Sequence, residues 1–283
     1  MVKEEHNMTG ERQMPTQSRT KPKISFVGVQ KRYPGKGAAE GTLALDSFDF
    51  DIAPAEIVSI VGPTGCGKST AMNVLAGFER PSAGAVSVDG AVITAPGSDR
   101  GVVFQQPSLF PWLSVLSNVV LGVKCRGADP REYEPRALRL LDEVGLKGFE
   151  RHYPYQLSGG MQQRVQIARA LINEPDILLM DEPFGALDYQ TRLLMQKLLL
   201  RLWAHFRPTI LFITHDVGEA IFISDRVIAM TRRPGRLKVA VEVHAPKPRD
   251  YEFLGSPEFT RLEHELLMAV QSEVEGRETE AAH

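Results

Sequence analysis

Several short apolar runs in the chain end abruptly in polar residues: EIVSIV before GPTGCGKST, GVVF before QQP, DILLM before DEP, and TILFI before THD. Unbroken apolar runs of this length suit strands covered on both faces, as in a parallel sheet between helices. In such sheets ligands bind outside the carboxyl ends of the strands, so the polar groups after these runs are expected to converge on one edge. Helical periodicity lies between the runs: MQQRVQIARALI sets Met161, Val165, Ala168 and Ile172 on one face. KISFVGVQKRY, TLALDSFDFDI and GAVSVDGAVI instead alternate, and Asp89-Gly90 is a hairpin signal. The pattern predicts an α/β fold, with a mostly parallel core sheet flanked by a small antiparallel one.

Residues from about 115 to 157 carry no strand run and read as helical. A helix there starts either at the Asp129-Pro130 cap or at Pro135. Near the end, SPEFTRLEHELLMAV offers Ser256 as N-cap and Pro257 at the first helical position. Phe259, Leu262 and Leu266 share one face of that helix, and a frayed acidic tail is expected after it. The opening stretch is polar and lacks the apolar centre of a signal peptide. The expected organisation is a disordered tail over 1–22, one domain over 23–245 with a helical subdomain at about 107–172, and a C-terminal helix and tail over 246–283.

Composition narrows the function classes. A formal net charge of −2 gives no electrostatic footprint for nucleic acid. Two cysteines, Cys66 and Cys125, exclude a disulfide scaffold and a cysteine-based zinc site, and fit a reducing cytosol. No stretch approaches the ~18 consecutive apolar residues of a spanning helix, so the chain by itself is expected to be soluble and cytosolic.

The chemistry starts at Gly62–Thr70, where the spacing G-x-x-x-x-G-K-[ST] follows a strand and opens a helix. Glycines let backbone N–H groups turn around a small anion, and the helix amino terminus adds its free N–H groups. Lys68 is expected to reach the β- and γ-phosphates, and Ser69 to hold Mg2+ through its hydroxyl. Beside Lys68 and the helix dipole, the Cys66 thiolate is expected to be favoured and reactive. Asp181 and Glu182 end a buried strand: the first is placed for Mg2+ and its waters, the second to take a proton from an attacking water. LSGGMQQR puts Ser158 as a cap before Gly159 and Gly160, at a helix end that can bind phosphate. Taken singly, Gln105 and His215 say little; their order along the chain matters more.

That order, with those strings, resembles the ATP-binding subunits of ABC transporters over about residues 23–245. LFPWLSVLSNVVLGV, DEPFGALDYQTR, ITHDVGEAIFISDRVIAM and the RRPGR turn at 232–236 resemble the importer subgroup for nitrate, sulfonate and taurine-type solutes. The resemblance implies an ATP hydrolase of P-loop fold with a helical signalling subdomain. It implies phosphate contacts from Gly62, Pro63, Thr64, Gly65, Cys66, Gly67, Lys68, Ser69 and Thr70, with Tyr33 stacked on adenine. It further implies Mg2+ at Ser69, Gln105 and Asp181, Glu182 as general base, and His215 at the γ-phosphate. In a head-to-tail homodimer, Ser158, Gly159 and Gly160 would close the other subunit's site and Asp188 would lie across the interface. The pair would drive two membrane-spanning permease subunits fed by a solute-binding protein, at the cytoplasmic face of the membrane and without nucleic acid. Trp112 and Phe110 would be exposed anchors for the membrane partner. The alternative is a soluble ABC ATPase of DNA repair or translation.

Overall fold

The computed structural model describes residues 21–35 and 41–280, with side chains up to Glu273. Two sheets build the chain. The antiparallel one has the order β2-β1-β4-β5, from β1 (Ile24–Tyr33), β2 (Thr42–Ile52), β4 (Ala83–Val88) and the short β5 (Ala91–Val92). The turn joining β4 to β5 puts Asp89 and Gly90 at φ +51° and +85°, the conformation that Asp-Gly supplies to a tight hairpin. The larger sheet runs β10-β9-β3-β8-β7-β6, from β3 (Ile57–Val61), β6 (Arg100–Val103), β7 (Ile177–Asp181), β8 (Thr209–Ile213), β9 (Arg226–Met230) and β10 (Leu237–Glu242). All its pairings are parallel except the edge strand β10.

Period-two alternation explains why the central strands are apolar throughout. Ile177 and Leu179 face one side of the sheet, packing with Ile60, Ile213 and the antiparallel sheet's Phe26, Phe48 and Phe50. Leu178 and Met180 face the other side, against Val165, Leu199 and Trp203 from the helices. Both sides of each strand are therefore covered. α1 (Lys68–Ala76) shares the first core; α5 (Gly159–Leu171) and α6 (Tyr189–Phe206) belong to the second. The helical region comprises α2 (Val115–Val119), α3 (Leu121–Cys125), α4 (Pro130–Glu143) and α5.

α4 starts at Pro130, where Asp129 Oδ1 accepts from the Arg131 N–H at 2.9 Å. Pro135 is inside the helix rather than at its start. The bond it forfeits falls on the first turn, at exposed Arg131, where the carbonyl is open to solvent rather than buried. α7 (Val217–Ile223) follows β8, and the short α8 (Tyr251–Leu254) precedes α9 (Pro257–Glu280). Ser256 Oγ caps α9 by accepting from the Phe259 N–H at 3.1 Å, and Phe259, Leu262 and Leu266 are buried against α7 and β9. The helix continues to Glu280, where a frayed acidic tail was expected from the sequence. Residues 1–20 of the expected N-terminal tail lie outside the described residues, as do 281–283.

One buried guanidinium ties the C-terminal segment to the core. Arg249, 4% exposed, donates from Nη1 to the carbonyls of Ile221 at 2.9 Å, Phe222 at 3.0 Å and Ser224 at 2.7 Å. These are the carbonyls that the end of α7 leaves unpaired, and a cation suits that end of the dipole. Arg249→Met keeps the bulk but strands buried acceptors. It is expected to lower unfolding free energy by about 3 kcal/mol in urea titration; a loss below ~0.5 kcal/mol would show that the carbonyls find other partners.

Candidate functional site

The carboxyl ends of β3, β6, β7 and β8 deliver their polar followers to one edge. The β3–α1 loop closes around the Lys68 ammonium, which is buried to 7% exposure and donates to the carbonyls of Gly62 at 2.8 Å and Pro63 at 3.1 Å. Gly67, at φ +113°, has no room for a side chain: a Cβ would stand 2.8 Å from the Ala44 carbonyl oxygen. A cavity of about 420 Å3 opens over this loop, lined by Thr64, Gly65, Gly67, Lys68, Ser69 and Thr70, with Tyr33, Thr42, Ala44, Glu182 and Arg233. That volume suits a nucleotide-sized ligand. A larger hollow of about 550 Å3, near Lys23, Asp176 and Arg207, lies at the amino ends of β7 and β8, away from these groups.

Ser69 Oγ donates to Asp181 Oδ1 at 3.3 Å. Burial pushes the Asp181 carboxyl up, and neighbouring Glu182 adds to this, against the opposing effects of Ser69 and Lys68. A hard cation here would favour the charged form. Among the described residues no group of three or more His, Cys, Asp or Glu is arranged for a metal. Ser69 Oγ and Asp181 Oδ1 are themselves hard oxygen donors, the kind Mg2+ takes one or two of before completing its shell with water and phosphate.

Glu182 adopts φ +43°, which a non-glycine residue rarely holds, and its N–H donates to the Ile213 carbonyl at 2.8 Å. Its Oε2 faces two groups from other strands, Gln105 Nε2 at 3.2 Å and His215 Nδ1 at 3.2 Å. Gln105 thus meets Glu182, while the Ser69–Asp181 contact forms apart from it. Tyr33 is half-buried at the cavity wall, its hydroxyl donating to Glu79 at 2.8 Å and the Lys31 ammonium standing 5.0 Å from its ring centre.

The remaining expected residues gather elsewhere. Ser158 caps α5, accepting from the Met161 N–H at 3.3 Å, and Asp188 caps α6, accepting from Thr191 N–H at 3.1 Å. Both caps stand together, since a Cβ on Gly160 would meet Thr191 Cγ2 at 3.0 Å. Ser158, Gly159, Gly160 and Asp188 are absent from the described residues that line the Lys68 cavity. Trp112 is 70% exposed and meets Phe110 edge-on at 5.5 Å, rather than packing in the core.

One expectation needs correction, and one lining residue was missed. Cys66 is buried at 1% exposure, and burial pushes its thiol up despite Lys68 and Arg233 nearby. Burial and the raised thiol both oppose the expected reactive thiolate, leaving the Cys66 backbone to serve a phosphate; the exposed thiol is Cys125. Arg233, from the β9–β10 turn, lines the cavity although its sequence gave only a turn signal.

The loop carrying His215 is fixed by a polar network that runs from partly exposed Arg192 and Asp216 to buried Glu219. Arg192 of α6 bridges the Leu187 carbonyl at 3.1 Å and Asp216 Oδ2 at 3.0 Å, while Asp216 Oδ1 caps α7 at the Glu219 N–H. Glu219 accepts from Thr214 Oγ1 and from Gln196 Nε2 at 3.2 Å.

The sequence profile of the ABC transporter family matches residues 45–185. The taurine import ATP-binding protein of Rhizobium johnstonii is 47% identical, over 81% of this chain and 89% of that protein. The nitrate import ATP-binding protein of Synechocystis sp. is 43% identical, over 91% and 97%. Among solved structures, a dimeric ATP-binding cassette in a post-hydrolysis state with ADP and Pi superposes with a TM-score of 0.68. It is 36% identical, over 79% of this chain and all of the other.

Burial pushes Glu219 up to about 7 from 4.5, only partly offset by Thr214 and Gln196. Between these values the folded chain holds a proton that the unfolded chain has released. Its contribution to stability is present below about pH 4.5 and lost as pH rises through about 7. Glu219→Gln is expected to remove this slope, so that raising the pH from 5 to 8 shifts the urea midpoint in the variant's favour. A wild-type-to-variant difference that stays constant with pH would contradict this.

Proposed function

We propose that this chain, which belongs to the ABC transporter family, powers solute import through separate membrane-spanning subunits. It is an ATP hydrolase of the P-loop α/β type. The observation that carries the mechanism is the meeting of three strand ends at one carboxylate, with Gln105 and His215 both on Glu182 Oε2 beside the Lys68 loop. The loop's N–H groups and Lys68 bind the triphosphate, and Tyr33 offers its ring to the adenine. Ser69 and Asp181 would hold Mg2+, which supplies charge neutralisation for the phosphates, and Gln105 would join them by leaving its contact with Glu182. Glu182 takes the proton of a water as its oxygen attacks the γ-phosphorus. The bridging bond breaks, and ADP leaves with its former bridging oxygen. His215 contacts the γ-phosphate and is oriented through Glu182. Stabilisation of developing charge carries most of the acceleration.

The separation of Ser158, Gly159, Gly160 and Asp188 from the Lys68 cavity supports a site completed by a second copy, head to tail. The dimeric form of the related cassette supports the same reading. Two membrane-spanning subunits would dock where Trp112 and Phe110 stand exposed, beside an apolar cavity of about 500 Å3 lined by Phe110, Leu121 and Arg169. No helix among the described residues is long and apolar enough to cross a membrane. The chain would therefore sit peripherally, at the cytoplasmic face, with the solute-binding protein reached only through the membrane subunits. The names of the taurine and nitrate relatives favour a solute of the nitrate, sulfonate or taurine type over a role in DNA repair or translation.

Glu182→Gln keeps the shape but cannot accept the proton. ATP turnover is expected to fall roughly 10²–10⁴-fold while ATP binding persists. Near-normal turnover in a phosphate-release assay would remove Glu182 from the mechanism.

A further inference from the structure

Gly65 lies at φ +78°, and within the loop the peptide that follows it is held by one long hydrogen bond, from the Cys66 N–H to the Pro63 carbonyl at 3.3 Å. The guanidinium of Arg233 supplies a hold from outside the loop: Nε and Nη2 donate to the Gly65 carbonyl at 3.1 and 3.0 Å across 168 residues of sequence. A planar trans peptide fixes its N–H opposite its carbonyl, so gripping Gly65 O also sets the direction of the Cys66 N–H. The same turn touches the loop again through Gly235, where a Cβ would stand 2.2 Å from the Cys66 carbonyl oxygen.

The turn is itself held from behind. Glu273 of α9 accepts from the Arg232 backbone N–H at 2.8 Å and from Lys238 Nζ at 2.5 Å, on the two arms of the hairpin. Gly235 N–H donates to the Ala44 carbonyl at 2.9 Å, and its own carbonyl accepts from Asp46 N–H at 3.1 Å. A continuous series of hydrogen bonds thus runs from the C-terminal helix through the hairpin to the phosphate loop.

We infer that Arg233 is a positioning residue of the nucleotide site, and that the C-terminal helix sets its grip on the phosphate loop through Glu273. The inference rests on the reading of this cavity as an ATP site. The fork both orients the loop and places a permanent cation at the cavity wall, where lysine offers a point charge without the fork.

The test is titration of the full chain with a fluorescent ATP analogue, together with steady-state ATPase kinetics. Arg233→Ala is expected to weaken binding roughly tenfold, the worth of a charge-assisted contact, with the loss falling on KM more than on kcat. Arg233→Lys should recover only part of the affinity, because the charge returns and the fork does not. Glu273→Ala should weaken binding in the same direction by a smaller factor, and add nothing once Arg233 is Ala. Unchanged affinity in Arg233→Ala, or full recovery in Arg233→Lys, overturns the positioning role. An equal loss from Glu273→Ala in both backgrounds overturns the link to the helix. A wild-type chain that binds no ATP analogue would defeat the parent reading instead.

Discussion

A buried ammonium held by backbone carbonyls, with no ion pair to a carboxylate among the described residues, is the constraint on which this structure turns. Lys68 is 7% exposed and donates to two backbone carbonyls, so the loop that holds it carries positive charge into a nearly dry place. Burying a cation is costly unless something negative answers it, and the helix amino terminus of α1 sharpens the same demand. A polyphosphate meets that demand. Asp181 and Glu182, to which the proposed mechanism gives the metal and the proton, stand close by, and among the described residues neither forms an ion pair with Lys68. The parallel sheet makes this possible, because strands fully buried on both faces end together and release their polar residues at one edge.

Much of this was legible in the sequence, for reasons local to each stretch. Apolar runs announced β3, β7 and β8, and alternation announced β1, β2 and the Asp89-Gly90 hairpin, because period and turn chemistry are short-range properties. The residues after the strand ends could be listed as candidates for the same reason. Contacts spanning the chain were harder. Arg233 and Gly65 are 168 residues apart, and nothing in RRPGR shows that one of its arginines folds back over the phosphate loop. Cys66 was misread because proximity to Lys68 was weighed without burial. Its side chain points under the loop, where a Cβ on Gly62 would meet the sulfur at 3.0 Å, and there desolvation outweighs the favourable charge. Pro135 left the start of α4 open, since only the exposure of Arg131 shows that the lost bond costs little.

On the proposed reading the site is divided between two copies of the chain. One half, around Lys68, Asp181 and Glu182, is assembled within the chain and braced by Arg233 and by the network from Arg192 to Glu219. The other half, the capped amino termini of α5 and α6, stands exposed at Ser158 and Asp188 with no partner in the cavity. Arg192 reaches both the Leu187 turn beside Asp188 and the Asp216 turn beside His215. In the proposed dimer, Arg192 would tie arrival of a second copy to the geometry of hydrolysis.

The most direct measurement of that claim counts nucleotide trapped in a mixed dimer. Lys68→Ala spoils the phosphate loop, and Ser158→Arg fills the space meant for phosphate at the opposing helix. Each variant alone forms a homodimer with both sites defective. In a heterodimer isolated through two different affinity tags, one site collects both defects and the other collects none. The account predicts one tightly held nucleotide per heterodimer and none in either homodimer. A heterodimer that traps no nucleotide would mean that Ser158 serves its own chain, and would contradict the site shared between copies.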